Sequence, residues 1–297
     1  MTPHAPYHHG SRAVQDLVGV RESADHVGRS IGPGIRPVAA AFLELQPMLV
    51  IGGADPAGAV WASLLTGEPG FARATGPRQM SVTGGLGEAD PLASALAQEG
   101  TPVGTIALDP RTRRRMRLNG RARPTPRGLA IEADQVFSNC PKYIQRRELL
   151  PGGRSGGPSA PTRGAELTDE QRTLIAAADT FFLATVHAHG ADASHRGGNP
   201  GFVHVASPTE LTWRDYPGNS MFLTLGNLAA DPRAGLLFLD WTTGTTLQLT
   251  GTARTDHAAD GSRTLRFTLT EAVLTPSASP WRWSAPDYSP ANPGQGD

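Results

Sequence analysis

SLLTGEPGF at residues 63–71 and SHRGGNPGF at residues 194–202 are one segment written twice. Ser63, Gly67, Pro69, Gly70 and Phe71 recur as Ser194, Gly198, Pro200, Gly201 and Phe202, each 131 residues further on. The same offset carries Gly104, Leu108, Asp109, Leu118, Gly120 and Ala122 to Gly235, Leu239, Asp240, Leu249, Gly251 and Ala253. A register kept from Ser63 to Ala122 is the mark of one domain used twice, and two like domains in one chain can pack as the halves of a symmetric dimer do. A site on their seam would draw residues from both copies.

Each copy reads as short helices followed by short strands. In the first, Val14, Leu17, Val18, Ala24, Val27 and Ile31 have helical spacing over residues 12–31, and Gly32-Pro33-Gly34 ends that helix. Residues 1–10 read as frayed. Pro37 suits the first position of a second helix, with Val38, Ala41, Phe42 and Leu45 on one face. Met48 to Ile51 and Val60 to Leu65 then make a hairpin about Gly58. In the second copy Thr168 and Gln171 have capping-box spacing, Phe181 to Val186 is a strand, and Ala234 to Leu239 with Thr245 to Ala253 form a hairpin about Gly244. Strands without regular helices between them exclude a parallel α/β sheet and fit small antiparallel barrels. The expected fold is mainly β with short helices: two tandem split β-barrels forming an intrachain pseudo-dimer. The expected parts are an N-terminal helical segment (1–35), a first barrel (36–148), a Gly/Pro-rich linker (149–167) and a second barrel (168–297). The aromatic tail with Trp281, Trp283 and Tyr288 is expected to pack against something.

Composition narrows the function. The chain has 297 residues, 35 glycines and 26 prolines, so turns outnumber long helices. Its formal net charge of 0 gives no global field for nucleic acid or a membrane surface. Cys140 is the single cysteine, which rules out an intramolecular disulfide and suits a cytoplasmic setting. No apolar run of 18 residues predicts a membrane span.

The richest polar stretch is DASHRGGNPGF, residues 192–202. Its Gly-rich bend lets backbone amides approach an anion, and Arg196 offers a planar fork for phosphate or carboxylate. The first copy has Leu64 and Leu65 where the second has His195 and Arg196, so the fold does not need the basic pair. Asn219, Thr224, Gly226 and Asn227 make a second polar cluster, on a strand Met221 to Leu225 and the turn after it. Lys142, Tyr143, Gln145, Arg146 and Arg147 in NCPKYIQRR, residues 139–147, suit a flat anionic ligand or a neighbouring domain. Arg113, Arg115 and Arg117 share one strand face, expected to be solvated rather than a nucleic-acid patch. His187 and His189 lack a carboxylate or cysteine partner, so no metal site is expected, and His8 and His9 read as terminal.

DASHRGGNPGFVHV, GNSMFLTLGNLAADPRAGLLFLD and LQLTGTA resemble the pyridoxamine 5'-phosphate oxidase-like family of flavin-binding split β-barrels. VWASLLTGEPGF, TRRRMRLNGRA and NCPKYIQRR resemble the companion half of its two-barrel members. The resemblance implies FMN held in a cleft between barrels, here supplied by one chain. It places Ser194, His195, Arg196 and Gly197 beside the flavin, Asn219, Thr224, Gly226 and Asn227 near its phosphate and ribityl chain, and Lys142, Tyr143 and Gln145 reaching in from the first barrel. The implied activity is an FMN-dependent oxidoreductase acting on a small molecule, with NAD(P)H or a reductase as electron source. A flavin carrier or electron relay, or a barrel holding deazaflavin or haem, is the alternative, and a further homodimer stays open. Leu228, Ala229 and Ala230 sit where the true oxidase carries charge, and Trp281-Arg282-Trp283 replaces its Arg/His-bearing end, so pyridoxamine phosphate itself is not the expected substrate.

Overall fold

The structure, a computed structural model, describes residues 5–138, 140–152, 157–188 and 190–294. Helices α1 (His9–Leu17) and α2 (Arg21–Gly28) come first. The first unit then runs α3 (Pro37–Glu44), β1 (Met48–Ala54), β2 (Val60–Thr66), β3 (Ala72–Gly76), β4 (Gln79–Thr83), α4 (Ala93–Leu96), β5 (Thr101–Asp109), β6 (Arg114–Thr125) and β7 (Gly128–Ser138). After β8 (Thr162–Gly164) the second runs α5 (Asp169–Ala177), β9 (Thr180–His187), β10 (Gly190–Gly197), β11 (Val203–Ser207), β12 (Glu210–Arg214), α6 (Leu223–Ala230), β13 (Arg233–Leu239), β14 (Thr246–His257) and β15 (Arg263–Thr275).

The sheets have the orders β2-β1-β5-β6-β7-β4-β3 and β10-β9-β13-β14-β15-β12-β11, the same path with every label advanced by eight. The duplication read from the sequence is therefore a duplication of topology. Each sheet curls into a split barrel around its own core. Trp61, Met80 and Ile131 fill the first, and Phe181, Phe238 and Phe267 fill the second.

A third cluster joins the barrels, and strand alternation explains it. Along β1, Leu49 and Ile51 face the first barrel's interior while Met48 and Val50 face outward. Along β9, Phe181 and Leu183 face in while Phe182, Ala184 and Val186 face out. Both outward sets are buried, because the barrels dock on these strands. The unbroken apolar runs of β1 and β9 are what a strand covered on both faces requires. The docking is two-fold in character. A side chain on Gly104 would strike the backbone of Asp192 and Ala193, and one on Gly235 would strike Val60 and Trp61. Gly104 and Gly235 are offset counterparts, and so are Asp192 and Trp61, so the Gly104–Asp192 and Gly235–Trp61 approaches exchange as in an isologous interface.

Four expectations need correcting. Residues 12–31 are two helices, because Gly19 turns left-handed at φ 69° and closes α1 with bonds from Gly19 N to Asp16 O and Val20 N to Gln15 O. The stretch Met221 to Leu225 is not a strand: Met221 and Phe222 are loop, and Leu223 to Leu225 are the first turn of α6. Residues 5–10 pack down instead of fraying: Tyr7 is buried and its hydroxyl donates to Ala24 O at 2.8 Å. The Gly/Pro-rich connection is tethered late in its course, where Thr162–Gly164 pair with Leu274, Val273 and Ala272 of β15. The aromatic tail does pack. Trp283 lies edge-on to Trp241, and Trp281 donates to Pro47 O at 3.0 Å.

Candidate functional site

The docking leaves a cleft of about 920 Å³, open mouth included, at one end of the seam. One wall is β10 and the connection from β12 to α6; the other is β6 and the segment around Cys140 to Tyr143. Both barrels thus build it.

Cations dominate the cleft. Arg115, Arg117, Lys142, Arg196, Arg214 and Arg263 line it, and the carboxylates that answer them are Asp192 and Asp215. Asp192 is buried. It pairs with Arg117 and accepts from Asn119 Nδ2 at 3.1 Å and from Thr224 Oγ1 at 3.1 Å. Asp215 lies 3.0 Å from Arg263 Nε and 3.8 Å from Arg196 Nε. Arg196 also donates to Ser194 Oγ and to His195 O.

Arg115 has no carboxylate partner among the described residues. Its Nη1 donates to His195 Nδ1 at 2.8 Å, its Nη2 donates to Cys140 O at 2.7 Å, and its Nε is buried without a partner. Burial, reinforced by the Arg117 and Arg196 charges, pulls its pKa down from 12.5 to about 9. Burial, reinforced by the Arg115 and Arg196 charges, holds His195 well below an ordinary histidine. Arginine only donates, so His195 Nδ1 must accept and the proton sits on Nε2. That Nε2–H is buried and unpartnered, as are the Nε–H groups of Arg117 and Arg196. Four buried donors at one seam thus stand without acceptors, the kind of group that a native structure leaves unfilled only for a reason.

The loop at the cleft's edge is held in an unusual shape. Tyr143, Ser220 and Phe222 are left-handed at φ 66°, 60° and 54°, a conformation that non-glycine residues adopt only where the surroundings enforce it. Phe222 is covered by the Arg263 guanidinium at 5.2 Å, and Gln15 of α1 donates to Met221 O at 2.8 Å. Tyr143 packs 5.3 Å from Tyr216 and donates to Pro217 O, bridging the two barrels. The N-terminal segment braces the far side. Gly10 of α1 and Gly226 of α6 touch so closely that a Cβ on either would collide with the other's helix. His8 accepts from Gly10 N at Nδ1 and donates from Nε2 to Asn227 Oδ1 at 2.7 Å, while stacking on His187.

Of the residues singled out by sequence, Ser194, His195, Arg196, Gly197, Asn219, Thr224, Lys142 and Tyr143 meet in this cleft. Three do not. Gly226 is consumed by the close approach of α1. Asn227 turns away to His8 and to Thr185 Oγ1. Gln145 is fully buried, bonded to Gly198 O, Ser289 N and Asn292 Nδ2, and so fastens the C-terminal tail. His189 and Asn139 lie outside the described residues. Arg115 and Arg117 are the main omission. Their strand face is not solvated, because the second barrel covers it. A signal existed: the offset turns Arg115 and Arg117 into Thr246 and Gln248, just as His195 and Arg196 turn into Leu64 and Leu65. Both basic pairs fall on strands that meet at one seam, and both neutral pairs fall at the other.

Residues 167–271 match the family model for pyridoxamine 5'-phosphate oxidase. No curated protein matches the chain. Among solved structures, it is similar to a candidate pyridoxamine 5'-phosphate oxidase from Lactobacillus delbrueckii (19% identity, 37% of this chain, 94% of that one, TM-score 0.31). It is also similar to an FAD-binding protein from Mesorhizobium loti (10%, 39% and 99%, TM-score 0.29). A third is a protein from Clostridium acetobutylicum related to general stress protein 26 (14%, 39% and 91%, TM-score 0.28). Among the described residues, no helix is long and apolar enough to cross a membrane, and no group of three His, Cys, Asp or Glu is placed to hold a metal. With one strand order in both halves and the family match over residues 167–271, the chain is a pair of tandem split β-barrels, the second of which matches the pyridoxamine 5'-phosphate oxidase family model.

Proposed function

We propose that the seam cleft binds a flavin, FMN in the first instance, and that the chain is a flavin-dependent oxidoreductase for a small molecule. The observation that carries this is Arg115: a half-buried guanidinium with no carboxylate partner among the described residues, whose buried Nε–H lacks an acceptor, beside three further buried donors that lack acceptors. A phosphate or an electron-rich ring edge would satisfy all four. The donor set fits a phosphorylated planar cofactor. Arg115, Arg117, Arg196 and Lys142 supply charge, Ser194, Thr224 and Asn219 supply polar atoms, and Tyr143, Tyr216 and Phe222 supply ring faces.

Bound there, the flavin would supply hydride or electron transfer, the hard chemistry that a cofactor brings and a protein positions. The chain's own residues would bind and orient. Arg115 and Arg117, contributed by the first barrel, would place positive charge against the ligand from the side opposite Arg196. Neutral His195 would donate from Nε2. Tyr143, bridging to Pro217, would limit water at the mouth. Electrons would come from NAD(P)H or from a reductase.

Protein purified without additives is denatured, and the released ligand is identified by mass and absorbance. FMN, absorbing near about 450 nm as free flavin does, is expected. A deazaflavin, a Soret band, or no uptake of added FMN refutes the assignment. Bleaching of the bound flavin by NADPH or NADH alone supports the oxidoreductase. Bleaching only with an added reductase supports the relay.

A further inference from the structure

A homodimer of split barrels has two equivalent seams, and so does this pseudo-dimer. The second lies where β2 and the connection from β4 to α4 face β14. Its strands carry Leu64 and Leu65 opposite Thr246 and Gln248, in place of the basic pairs. The space a ligand would need is taken by the chain itself. Asp90, in the connection equivalent to the one that edges the open cleft, turns its carboxylate inward. Oδ1 accepts from Ser63 Oγ at 2.7 Å and Leu92 N at 2.9 Å, and Oδ2 accepts from Gln248 Nε2 at 3.2 Å. Gln248 Nε2 also reaches Ala62 O at 3.0 Å and Ser63 Oγ at 2.9 Å.

The comparison is residue for residue. Ser63 is the counterpart of Ser194, and Gln248 is the counterpart of Arg117. At the open seam Arg117 leaves its Nε–H unfilled. At the other, Ser63 and Gln248 meet a side-chain carboxylate, which would repel any incoming phosphate. None of the buried polar atoms lacking a partner belongs to Ser63, Asp90, Thr246 or Gln248.

Resting on the flavin reading above, we infer that the two seams have diverged into one ligand site and one self-occupied site, in which Asp90 stands where the ligand's anion stands at the other, so that each chain takes one ligand and not two. Duplication inside one chain makes this possible. In a homodimer any change to one seam is imposed on both, whereas here each seam mutates alone.

The full chain is loaded with excess FMN, freed of unbound ligand and assayed for flavin per protein. One equivalent is expected. Arg115→Thr, which gives the open seam its counterpart's residue, should weaken binding at least tenfold, while Asp90→Asn should leave the count at one. Arg115 has no ion pair to orphan, so this variant keeps the fold testable by circular dichroism. Two equivalents in the wild type, or undiminished binding by Arg115→Thr, would overturn the inference. If the wild type takes up no FMN, the flavin reading fails by itself. Hydrogen exchange with inorganic phosphate as the probe then decides the seams. Protection of residues 194–197 and 219–224 without change at 63–66 and 86–92 upholds the inference; protection of both sets, or of neither, overturns it.

Discussion

Replacing Arg115 by leucine should move the stability of the empty and the loaded protein in opposite directions. In the empty protein Arg115 is a liability. The fall of its pKa from 12.5 to about 9 corresponds to about 5 kcal/mol at 1.36 kcal/mol per pH unit. Solvent entering the cleft screens this to about 1–3 kcal/mol, since effective dielectric constants near 20 describe such sites. Against that gain, the substitution strips His195 Nδ1 of its donor, which costs about 1 kcal/mol. The empty variant should therefore be as stable as wild type or more stable by up to about 2 kcal/mol. In the loaded protein the sign reverses. A hydrogen bond to a charged group contributes about 1.5–3 kcal/mol, so affinity should fall roughly ten- to hundredfold. At a ligand concentration a hundred times the wild-type Kd, ligand stabilises wild type by about 2.7 kcal/mol and the variant by about 0.4–1.4 kcal/mol. Chemical denaturation with and without FMN measures both quantities. A variant that loses stability equally in the two conditions would show that Arg115 is a structural side chain, and the anion-site reasoning would fall with it.

Three further outcomes follow from the same geometry. Substituting Gly104 or Gly235 by valine should destabilise the fold by several kcal/mol, because each side chain would enter the backbone of the other barrel; near-wild-type melting of both variants would refute the docking. Gly226→Val should push α1 off α6, seen as faster hydrogen exchange in residues 9–17 and 219–230, with the second barrel's core unchanged. The pH response has a definite sign. His195 and His8 are held below an ordinary histidine chiefly by burial, so the unfolded chain binds more protons than the folded one in acid. The stability they confer is present above about pH 6.5 and is lost as pH falls below it, and replacing His195 by glutamine should flatten that slope in acid melts.

The barrels were legible in the sequence because their determinants are local. Turn glycines, a capping box at Thr168 and the apolar runs of β1 and β9 act within a few residues, and the 131-residue offset supplied the topology. The site was half legible. Ser194, His195 and Arg196 stood out because the first copy dispenses with them. Arg115 and Arg117 were assigned the right face of the right strand and the wrong surroundings, since the covering barrel comes from a region 75–80 residues away in sequence. Residues 221–225 misled for a different reason. MFLTL is too short for a period to declare itself, and α6 starts after a left-handed Phe222 that Arg263 covers, beside a Met221 carbonyl that Gln15 holds, contacts remote in sequence.

The repeat offers a way past that limit, and it concerns charge rather than pattern. In a true two-fold dimer a cation at a seam is repeated by symmetry, so two ligand sites arise together. In a tandem chain, positions related by the offset are free to differ, and their differences are grouped by seam rather than by barrel. Arg115 and Arg117 lie in the first barrel and His195 and Arg196 in the second, yet all four converge on one cleft, while Thr246, Gln248, Leu64 and Leu65 converge on the other. Divergence confined to a barrel would reflect drift in a fold. Divergence that crosses barrels and sorts by seam is not explained by folding, because the empty fold gains nothing from the buried Arg115 charge. The proposed ligand, touching both barrels at one seam, accounts for that sorting, and the unfilled donors of Arg115, Arg117, Arg196 and His195 lie at the seam it would occupy.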